Sequence, residues 1–573
     1  MKKTLIVLSI LIALFVGWIA TYFFFTFQKP KEIATDPIQI KKGEELYQKN
    51  CVVCHIFKQD VIGPKLGGIT EEVSVSWLKE FIKDPNKMKT SGDPRATTLF
   101  KKYKTQMPAF STLTDNDLDA IISYFATQKK PKVQSSKNVG KEIANPYPAP
   151  IQFSGLEVGL EAVAQFPASS KIPPLARIQK LGFSPNYDGM YVVDLRGKLY
   201  KLKDKTISEF MDMAKLKPKF VPEPGLASGF GSFAFHPDFA KNGLFYTTHT
   251  ESKGSGTPDF KYSDSIKVIL QWVVTEWKVK NPKDVKFSGT SRELLRFDAT
   301  QPFHGIQEIA FNPVAKQGTN DYGILYICIG DLGSVEGWHP EMTGSNVRPW
   351  GTIFRINPTG NNSANGKYGI PKDNPFVKST NSKALKEIYA YGFRNPHRIS
   401  WTKNGQIIIA NIGQANCESL YLLKSGHNYG WPTREGSFVF YPKEDLNKVY
   451  PLPANDTTFR ITYPIAEFDH DEGIAMSGGL EYSATTIPEL NGKYFFGDIP
   501  SGRLFYININ EIKQGKLTTI HEWKVTINGV QKSLKDICGS VRVDLHFGKD
   551  KQGNLYILTK ADGKVYKLVS AKQ

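Results

Sequence analysis

Two cysteines and a histidine near the N-terminus have the spacing of a covalent attachment site. Residues 50–57 read NCVVCHIF, so two residues separate Cys51 from Cys54 and His55 follows at once. Thiols at this spacing can form thioethers to a porphyrin, and the adjacent imidazole can bind its iron from one face. The motif therefore predicts a covalently held haem c, a group that carries electrons.

The stretch behind this motif supplies further ligand chemistry. A proline carbonyl in GPKLGG (63–68) is placed to orient the imidazole of His55. Met107 in TQMPAF is the predicted second axial ligand, and Met88 in NKMKTSG is the rival. A thioether opposite the histidine raises the iron's potential and closes it to other ligands, so the sequence predicts electron transfer rather than oxygen chemistry.

A second set of reactive residues lies far along the chain. His304 stands in QPFHGIQEIAFNP, Arg394 and Asn395 in EIYAYGFRNPHRISW, and Gly413 and Gln414 in ANIGQANCESL. A neutral imidazole with a pKa of about 6.5 suits a general base. An arginine is always cationic and can stabilise negative charge that develops in a reaction. Five other polar or aromatic residues are interpreted as packing or turn residues: His236, His397, Arg398, His427 and Trp431.

A recurring β-rich motif predicts how these residues are positioned. A glycine followed by a short apolar run occurs six times, in DGMYVVD, NGLFYTT, YGILYIC, NGQIIIA, NGKYFFG and QGNLYIL. Short strands at a long, uneven period favour a six-bladed β-propeller over the alternative, a pair of β-sandwiches. RGKLYKL and DGKVYKL, near opposite ends of the repeats, are expected to serve ring closure. The loops of such blades would gather the polar residues around one axis.

The region around the first motif predicts a small all-α domain. Thr114 caps a helix, Asp117 complements its N-terminus, and its apolar stripe is predicted to be Leu118, Ile121, Ile122 and Phe125. We expect this domain at 40–128, an extended linker at 129–150, and an all-β domain at 151–570.

An apolar run precedes both domains. The 24 residues Thr4 to Phe27 carry no charge and would span about 36 Å as a helix, enough to cross a membrane. A cleavable signal peptide is the alternative, but no A-x-A site follows. We expect an uncleaved anchor within residues 1–30 in the inner membrane, with Lys2 and Lys3 cytoplasmic and the bulk of the chain periplasmic.

Charge and cysteine content limit the remaining possibilities. The 73 Lys and Arg against 55 Asp and Glu give a net charge of +18. The basic residues are scattered, which argues against nucleic acid as a partner. Cys328, within an apolar run, is expected to be a buried thiol, and whether Cys417 and Cys538 pair stays open.

Two resemblances follow from these motifs. Residues 40–128 resemble a class I c-type cytochrome. GFGSFAFHPDF, YAYGFRNPHRIS, IGQANCESL and HNYGWP are similar to the soluble glucose and aldose-sugar dehydrogenases that use pyrroloquinoline quinone (PQQ). That resemblance covers roughly residues 170–570, and the propeller of the hedgehog-interacting protein belongs to the same superfamily.

The second resemblance implies roles for individual residues. His304 would be the general base that takes a proton from a sugar's anomeric hydroxyl, and Arg394 would stabilise charge on the reduced quinone. Asn395 and Arg542 would bind the cofactor, with Arg542 on a cofactor carboxylate. The carbonyls of Gly413 and Gln414 would hold a Ca²⁺ ion.

Three departures from the family pattern bear on quinone binding. Where the sugar dehydrogenases place polar cofactor contacts, this chain has Ala227, Phe303 and Leu332. We expect a dehydrogenase that oxidises a sugar or other alcohol and passes electrons to its own haem, then to a soluble cytochrome or a terminal oxidase. The alternatives are a non-catalytic propeller that binds a carbohydrate or protein, with Phe303 and Leu332 plugging its cavity, and a haem-based redox sensor.

Overall fold

The computed structural model describes residues 33–52, 54–103, 107–130, 140–171, 173–185, 189–223 and 227–573. The chain divides into two compact units near residue 132. The predicted anchor, Thr4 to Phe27, lies outside the described residues, so it stays a prediction. Within the described ranges, no helix combines the length and the apolar character needed to cross a membrane.

The first unit is helical, as predicted. Its helices are α1 Pro37–Asn50, α2 Ile69–Glu72, α3 Val75–Lys83, α4 Pro85–Thr90, α5 Pro94–Tyr103 and α6 Asp115–Ala126. The expected cap of α6 is confirmed, because the Thr114 side chain accepts from the backbone N–H of Asp117 and the Asp117 carboxylate accepts from that of Thr114. All four residues of the predicted apolar stripe are buried.

The first and last helices of this unit approach each other very closely. The contact is centred on Gly43 of α1, where a Cβ atom would lie 1.9 Å from the carbonyl oxygen of Ala120 on α6. Tyr47, one turn further along α1, is buried and donates from its hydroxyl to the carbonyl oxygen of His55 at 2.6 Å. The helix crossing therefore supports the segment that carries the haem-binding motif.

The second unit is a six-bladed propeller of four-stranded antiparallel blades. Blade 1 contains β2 Ile178–Gly182, β3 Met190–Asp194, β4 Lys198–Lys203 and β5 Thr206–Asp212. Blade 2 contains β6 Phe230–Phe235, β7 Leu244–Ser252, β8 Leu270–Val279 and β9 Gly289–Ala299. Blade 3 contains β10 Glu308–Phe311, β11 Leu325–Ile329, β12 Thr352–Ile356 and β13 Ile388–Tyr391.

The remaining blades follow the same order with one exception. Blade 4 contains β14 Asn395–Trp401, β15 Ile407–Ile412, β16 Cys417–Leu422 and β19 Ala466–Asp469. Blade 5 contains β20 Met476–Glu481, β21 Lys493–Asp498, β22 Leu504–Asn508 and β23 His521–Ile527. Blade 6 contains β25 Leu545–Lys549, β26 Leu555–Thr559, β27 Lys564–Lys572 and β1 Phe153–Gln165. Outside the blades lie β17 Arg434–Glu435, β18 Phe438–Val439, β24 Val530–Lys532, α7 Met213–Leu216, α8 Phe239–Asn242 and α9 Leu534–Cys538.

The six glycine-led copies in the sequence are the second strands of the six blades, β3, β7, β11, β15, β21 and β26. Five of the six glycines have a positive φ, between 66° and 91°, at Gly243, Gly323, Gly405, Gly492 and Gly553. Glycine adopts this left-handed conformation without the strain that a Cβ atom imposes. The repeat therefore marks the turn between the first two strands of each blade.

Ring closure differs from the expectation. RGKLYKL and DGKVYKL are the third strands β4 and β27, and β1 completes blade 6 beside β27. Each pair of neighbouring blades shares one hydrophobic cluster, so six clusters form the core of the ring. Cys328 is buried in the cluster between blades 3 and 4, as predicted.

Two expectations about connections are corrected. Cys417, on β16, and Cys538, on α9, are free thiols, so the possible pairing does not form. Residues 142–147, within the predicted extended linker, are bonded to blade 4, because Ile143 donates its backbone N–H to the carbonyl oxygen of Val449 at 2.9 Å.

The close helix crossing predicts a destabilising substitution. Gly43→Ala should lower the free energy of unfolding of the helical unit by about 2 kcal/mol, because the new methyl group overlaps the backbone of α6. Denaturation followed by haem absorbance measures it. Gly140→Ala, with open space around its Cβ position, is the control and should change stability by less than about 0.5 kcal/mol. A Gly43→Ala protein as stable as this control would contradict the crossing.

Candidate functional site

The haem-binding motif is prepared for a histidine–iron bond. His55 is buried, and its Nδ1 lies 2.8 Å from the carbonyl oxygen of Pro64. A carbonyl oxygen can only accept, so Nδ1 carries the proton and Nε2 keeps its lone pair for a metal. Gly63 lies against the ring, where a Cβ would be 2.4 Å from its Cε1. The prediction that a proline carbonyl orients the imidazole of His55 is confirmed.

The structure gives positions for the other residues that are expected to bind the haem. Burial raises the pKa of the buried Cys51 thiol to about 12, and Cys54 lies near it. Met107 is half-buried on the stretch between α5 and α6, and Met88 is half-buried on α4. Met107 as second axial ligand, with Met88 as rival, therefore stays a prediction.

In the propeller, His304 forms a pair with a carboxylate that the sequence analysis did not select. His304 comes shortly before β10, and Asp331 follows β11, so both lie at the same end of blade 3. Nδ1 of His304 is 2.8 Å from Oδ1 of Asp331, while Trp431 donates its indole N–H to the other carboxylate oxygen at 3.0 Å. Asp331 thus fixes the orientation of the imidazole and leaves Nε2 as the nitrogen able to accept a substrate proton.

Burial disfavours charge on both members of this pair. It lowers the pKa of His304 to about 3, and the nearby Arg394 cation adds to that lowering. Burial raises the pKa of Asp331 to about 6, against the opposing effect of Arg394. At pH 7 the imidazole is therefore neutral beside an ionised carboxylate. The expectation of an unperturbed histidine pKa is wrong, because the sequence did not show that the ring is buried.

Arg394 is held by three oxygen-bearing groups. Its Nε donates to Oε1 of Gln414 at 2.9 Å, one terminal nitrogen donates to the carbonyl oxygen of Gly413, and the other donates to Oε1 of Glu336 at 2.6 Å. Its guanidinium carbon lies 5.9 Å from the ring centre of Trp431. The arginine is thus fixed rigidly beside the His304–Asp331 pair.

The predicted calcium site stays a prediction. Of its two expected carbonyl ligands, that of Gly413 accepts from Arg394, whereas Gln414 accepts from Arg394 through its side-chain oxygen. His304, Asp331 and Glu336 lie close enough together to hold a metal ion, but the guanidinium stands 2.6 Å from Glu336 and repels a second cation there. We derive no step through calcium.

A buried carboxylate shapes the loop that carries Gln414. Oε1 of Glu435 accepts four consecutive backbone N–H groups, those of residues 414–417, at 2.7–3.1 Å. Its other oxygen accepts from the side chain of Asn416 at 2.7 Å. The loop position, and with it the position of Arg394, is therefore set by a charge-assisted network.

Two basic residues of blade 6, Lys560 and Arg542, form what we call the basic wall. They lie at the same end of their blade as Asp331 does in blade 3. Lys560 directly follows β26, as Asp331 follows β11. Only 6% of Lys560 is exposed, yet its ammonium has no hydrogen-bond or ion-pair partner among the described residues. Burial lowers its pKa to about 7, although Asp544 acts in the opposite direction. Arg542 donates from Nε to Oδ1 of Asp544 at 2.7 Å.

Neighbouring polar atoms also lack partners. Arg398 approaches Nδ1 of His546 at 3.5 Å, so the proton of this imidazole is on Nε2, a buried donor with no partner in the described structure. Oδ1 of the buried Asn395, at the start of β14, is likewise unpartnered. The unsatisfied imidazole donor fits an anionic group of a ligand, and the unsatisfied amide oxygen fits a ligand N–H or O–H group.

The three apolar departures have different surroundings. Leu332 is fully buried in the cluster between blades 2 and 3. Phe303 packs edge-on against the ring of His304 with centroids 4.6 Å apart, and Ala227 offers its carbonyl oxygen to the side chain of Gln307 at 2.9 Å. Whether Phe303 plugs the cavity, the alternative that favours a non-catalytic propeller, stays open.

Four residues of the site were missed by sequence reasoning, namely Asp331, Glu336, Trp431 and Lys560. Trp431 was assigned to packing, whereas it bonds Asp331. His236 is a turn residue as expected, since its Nδ1 accepts from the backbone N–H of Asp238. The sequence did contain a pattern that could have found Asp331. An aspartate lies at the end of the second strand, or within two residues after it, in DLRG, GDLG and GDIPSG.

Comparisons with known proteins agree with this division of the chain. A family model described as Glucose / Sorbosone dehydrogenase matches residues 179–567, and one described as Cytochrome c matches residues 40–129. The HIPL1 protein of Arabidopsis thaliana is 27% identical over 392 residues, covering 60% of this chain and 53% of its own. Quinoprotein glucose dehydrogenase B of Acinetobacter calcoaceticus is 24% identical over 325 residues, covering 55% of this chain and 64% of its own.

A solved structure supports the fold. The soluble aldose sugar dehydrogenase of Escherichia coli has a TM-score of 0.50 and 19% identity, covering 72% of this chain and 99% of that protein. The chain spans about half the length of the first curated relatives that it matches, such as HIPL1.

Burial of the histidine predicts its titration. With the haem reduced and histidines labelled with ¹⁵N, the His304 ring signals should stay those of a neutral imidazole from pH 7.5 down to pH 5, since its pKa is about 3. The spectrum of His304→Gln identifies the signals. A midpoint near 6.5 would contradict the buried, carboxylate-held geometry.

Proposed function

Because this chain belongs to the glucose/sorbosone dehydrogenase family and carries a cytochrome c domain, we propose that it oxidises a sugar or other alcohol with PQQ and delivers the electrons to its own haem c. One observation carries this proposal more than any other. His304, Asp331, Trp431 and Arg394 are joined by hydrogen bonds and short contacts at one mouth of the propeller.

The residues at this mouth perform the proton chemistry. Nε2 of His304 would take the hydroxyl proton of the substrate, while Asp331 stabilises the imidazolium that results. Trp431 keeps the carboxylate from turning away. Oxidation of an anomeric C–H and O–H to a lactone carbonyl releases two electrons and two protons, and the haem takes one electron at a time.

The opposite wall would hold the quinone. PQQ, when bound, supplies a carbonyl group that accepts the hydride. Its carboxylates would pair with Lys560 and Arg542, because Lys560 is a buried cation without a partner. Asn395 would donate or accept at the ring edge, and Arg394 would face the developing negative charge.

The location and partners follow from the first part of the chain. We infer an anchor at residues 4–27 in the inner membrane, with both domains in the periplasm, because covalent haem attachment accompanies export. A soluble cytochrome or a terminal oxidase would take electrons from the haem. A binding propeller without catalysis is the second candidate, favoured by the similarity to HIPL1, a protein not named for catalysis.

The base assignment predicts a loss of catalysis. His304→Gln should slow sugar-driven haem reduction by at least about a hundredfold, because no other group replaces the proton acceptor. Haem absorbance during addition of a panel of sugars, after loading with PQQ, measures the rate. Reduction by dithionite is the control and should be unchanged. Equal sugar-driven rates in variant and parent would remove His304 from the mechanism.

The basic wall predicts the strength and pH dependence of cofactor binding. Lys560→Met should weaken PQQ binding by roughly 10- to 100-fold, since a charged hydrogen bond contributes about 1.5–3 kcal/mol. Affinity of the parent protein should also fall as the pH rises above about 7, because the lysine must then take up a proton to pair with a carboxylate.

Calorimetry on the quinone-free protein measures both effects without turnover. Lys551→Met, which removes an exposed lysine of the same blade, is the matched control and should bind normally. If Lys560→Met binds as tightly as this control, the cofactor does not use the basic wall.

A further inference from the structure

The chain between the two units ends in a stretch that is bonded to blade 4. We call residues 142–147 the clasp. Ile143 forms an antiparallel bridge with Val449 and donates its backbone N–H to that residue's carbonyl oxygen at 2.9 Å. Glu142 pairs with Lys448 at 2.5 Å, although both side chains are largely exposed, so this pair adds little stability.

The strongest contacts of the clasp are made by Tyr147. Its backbone N–H donates to Oδ2 of Asp469 at 2.9 Å, and its hydroxyl donates to Oε1 of Glu467. Its ring meets that of Phe438 edge-on at 5.7 Å. Tyr147 therefore joins the last strand of blade 4 to the loop that follows Trp431.

Glu467 depends on the donors around it. Burial raises the pKa of this carboxyl to about 7, and its hydrogen bonds act in the opposite direction. One oxygen accepts from the backbone N–H of Ser437 at 3.1 Å and from the hydroxyl of Ser419 at 3.3 Å, and the other accepts from Tyr147. The Ser437 side chain also bonds this carboxyl. Loss of the tyrosine hydroxyl would remove one of the donors that stabilise this buried carboxyl.

The surface that receives the clasp is continuous with the wall of the candidate site. Ile143 packs against a small hydrophobic cluster that contains Trp431, Phe440 and Val449. Trp431 stacks on Phe440 with centroids 5.0 Å apart, and the same indole donates to Asp331. Trp431 belongs to this cluster, so the side chain of Asp331 links the cluster directly to His304.

From these contacts we propose that the clasp anchors the chain coming from the cytochrome domain at the wall of the candidate site, making Tyr147 a positioning residue for electron delivery. The electron-delivery part rests on the proposed function. With the clasp closed, residues 131–141 link the units, and 11 residues span at most about 40 Å. With it open, the link runs to Gln152, and 22 residues span at most about 79 Å.

The first test measures the clasp itself in the full-length holoprotein. Tyr147→Phe, and the double variant with Ile143→Ser, should speed hydrogen exchange in residues 142–147 and 438–450, with blade 2 unchanged. Tyr441→Phe, an exposed tyrosine of the same loop, is the control and should exchange as the parent does. Parental exchange rates at 142–147 and 438–450 in both variants would overturn the clasp.

The second test measures electron delivery after loading with PQQ. Sugar-driven haem reduction should fall about threefold in the double variant, because effective concentration falls roughly as the −3/2 power of tether length and the length doubles. Sugar-driven reduction of added phenazine methosulfate, a diffusing acceptor, should be unchanged. Equal losses with haem and dye, or no loss with either, would overturn the anchoring role.

The two tests separate this inference from the proposed function. If no sugar reduces the haem or the dye in the parent protein, the proposed function fails, and the electron-delivery role fails with it. The exchange measurement then still decides whether the clasp exists.

Discussion

The carboxylate of Asp331 is the group on which the candidate site depends. Its two oxygens accept from side chains of different blades, one from His304 of blade 3 and the other from Trp431 of blade 4. A buried carboxylate is stable only when such donors surround it, so the blades hold each other in register through this group. The bond to His304 selects the proton position on the imidazole and leaves Nε2 without that proton. Asp331 therefore both connects neighbouring blades and holds the imidazole that would accept the substrate proton.

Three residues that are not glycines have strained backbone conformations near the ends of first and second strands. His304, Leu332 and Asp544 have positive φ angles between 50° and 54°, although none is a glycine. Conformations of this kind persist only where the surrounding structure enforces them, and they are common at functional sites. His304 and Asp544 lie just before the first strands of their blades, and Leu332 lies just after a second strand. The propeller supplies the rigidity, and the strained turns place polar groups at its mouth.

The sequence predicted those features that have a local physical cause. The helix cap at Thr114, the glycine turns before each second strand and the histidine beside GPKLGG could all be assigned, because each depends on neighbours within a few residues. Asp331, Trp431 and Lys560 could not, since each is surrounded in part by side chains that lie more than 15 positions away in the sequence. Burial changed the pKa of His304 for the same reason. Tyr147 was hidden in a stretch rich in Lys, Ser and Pro, where its partners Glu467 and Asp469 lie over 300 residues downstream.

Closure of the ring by β1 has a consequence for biosynthesis. Blade 6 takes three strands from the C-terminus and its fourth from the residues just after the cytochrome domain. A nascent chain therefore presents an unpaired edge of β1 until Lys564–Lys572 has been synthesised. The helical unit, which precedes β1 in the chain and contributes no strand to the ring, can fold during that interval. The last strand to leave the ribosome thus decides when the toroid is complete.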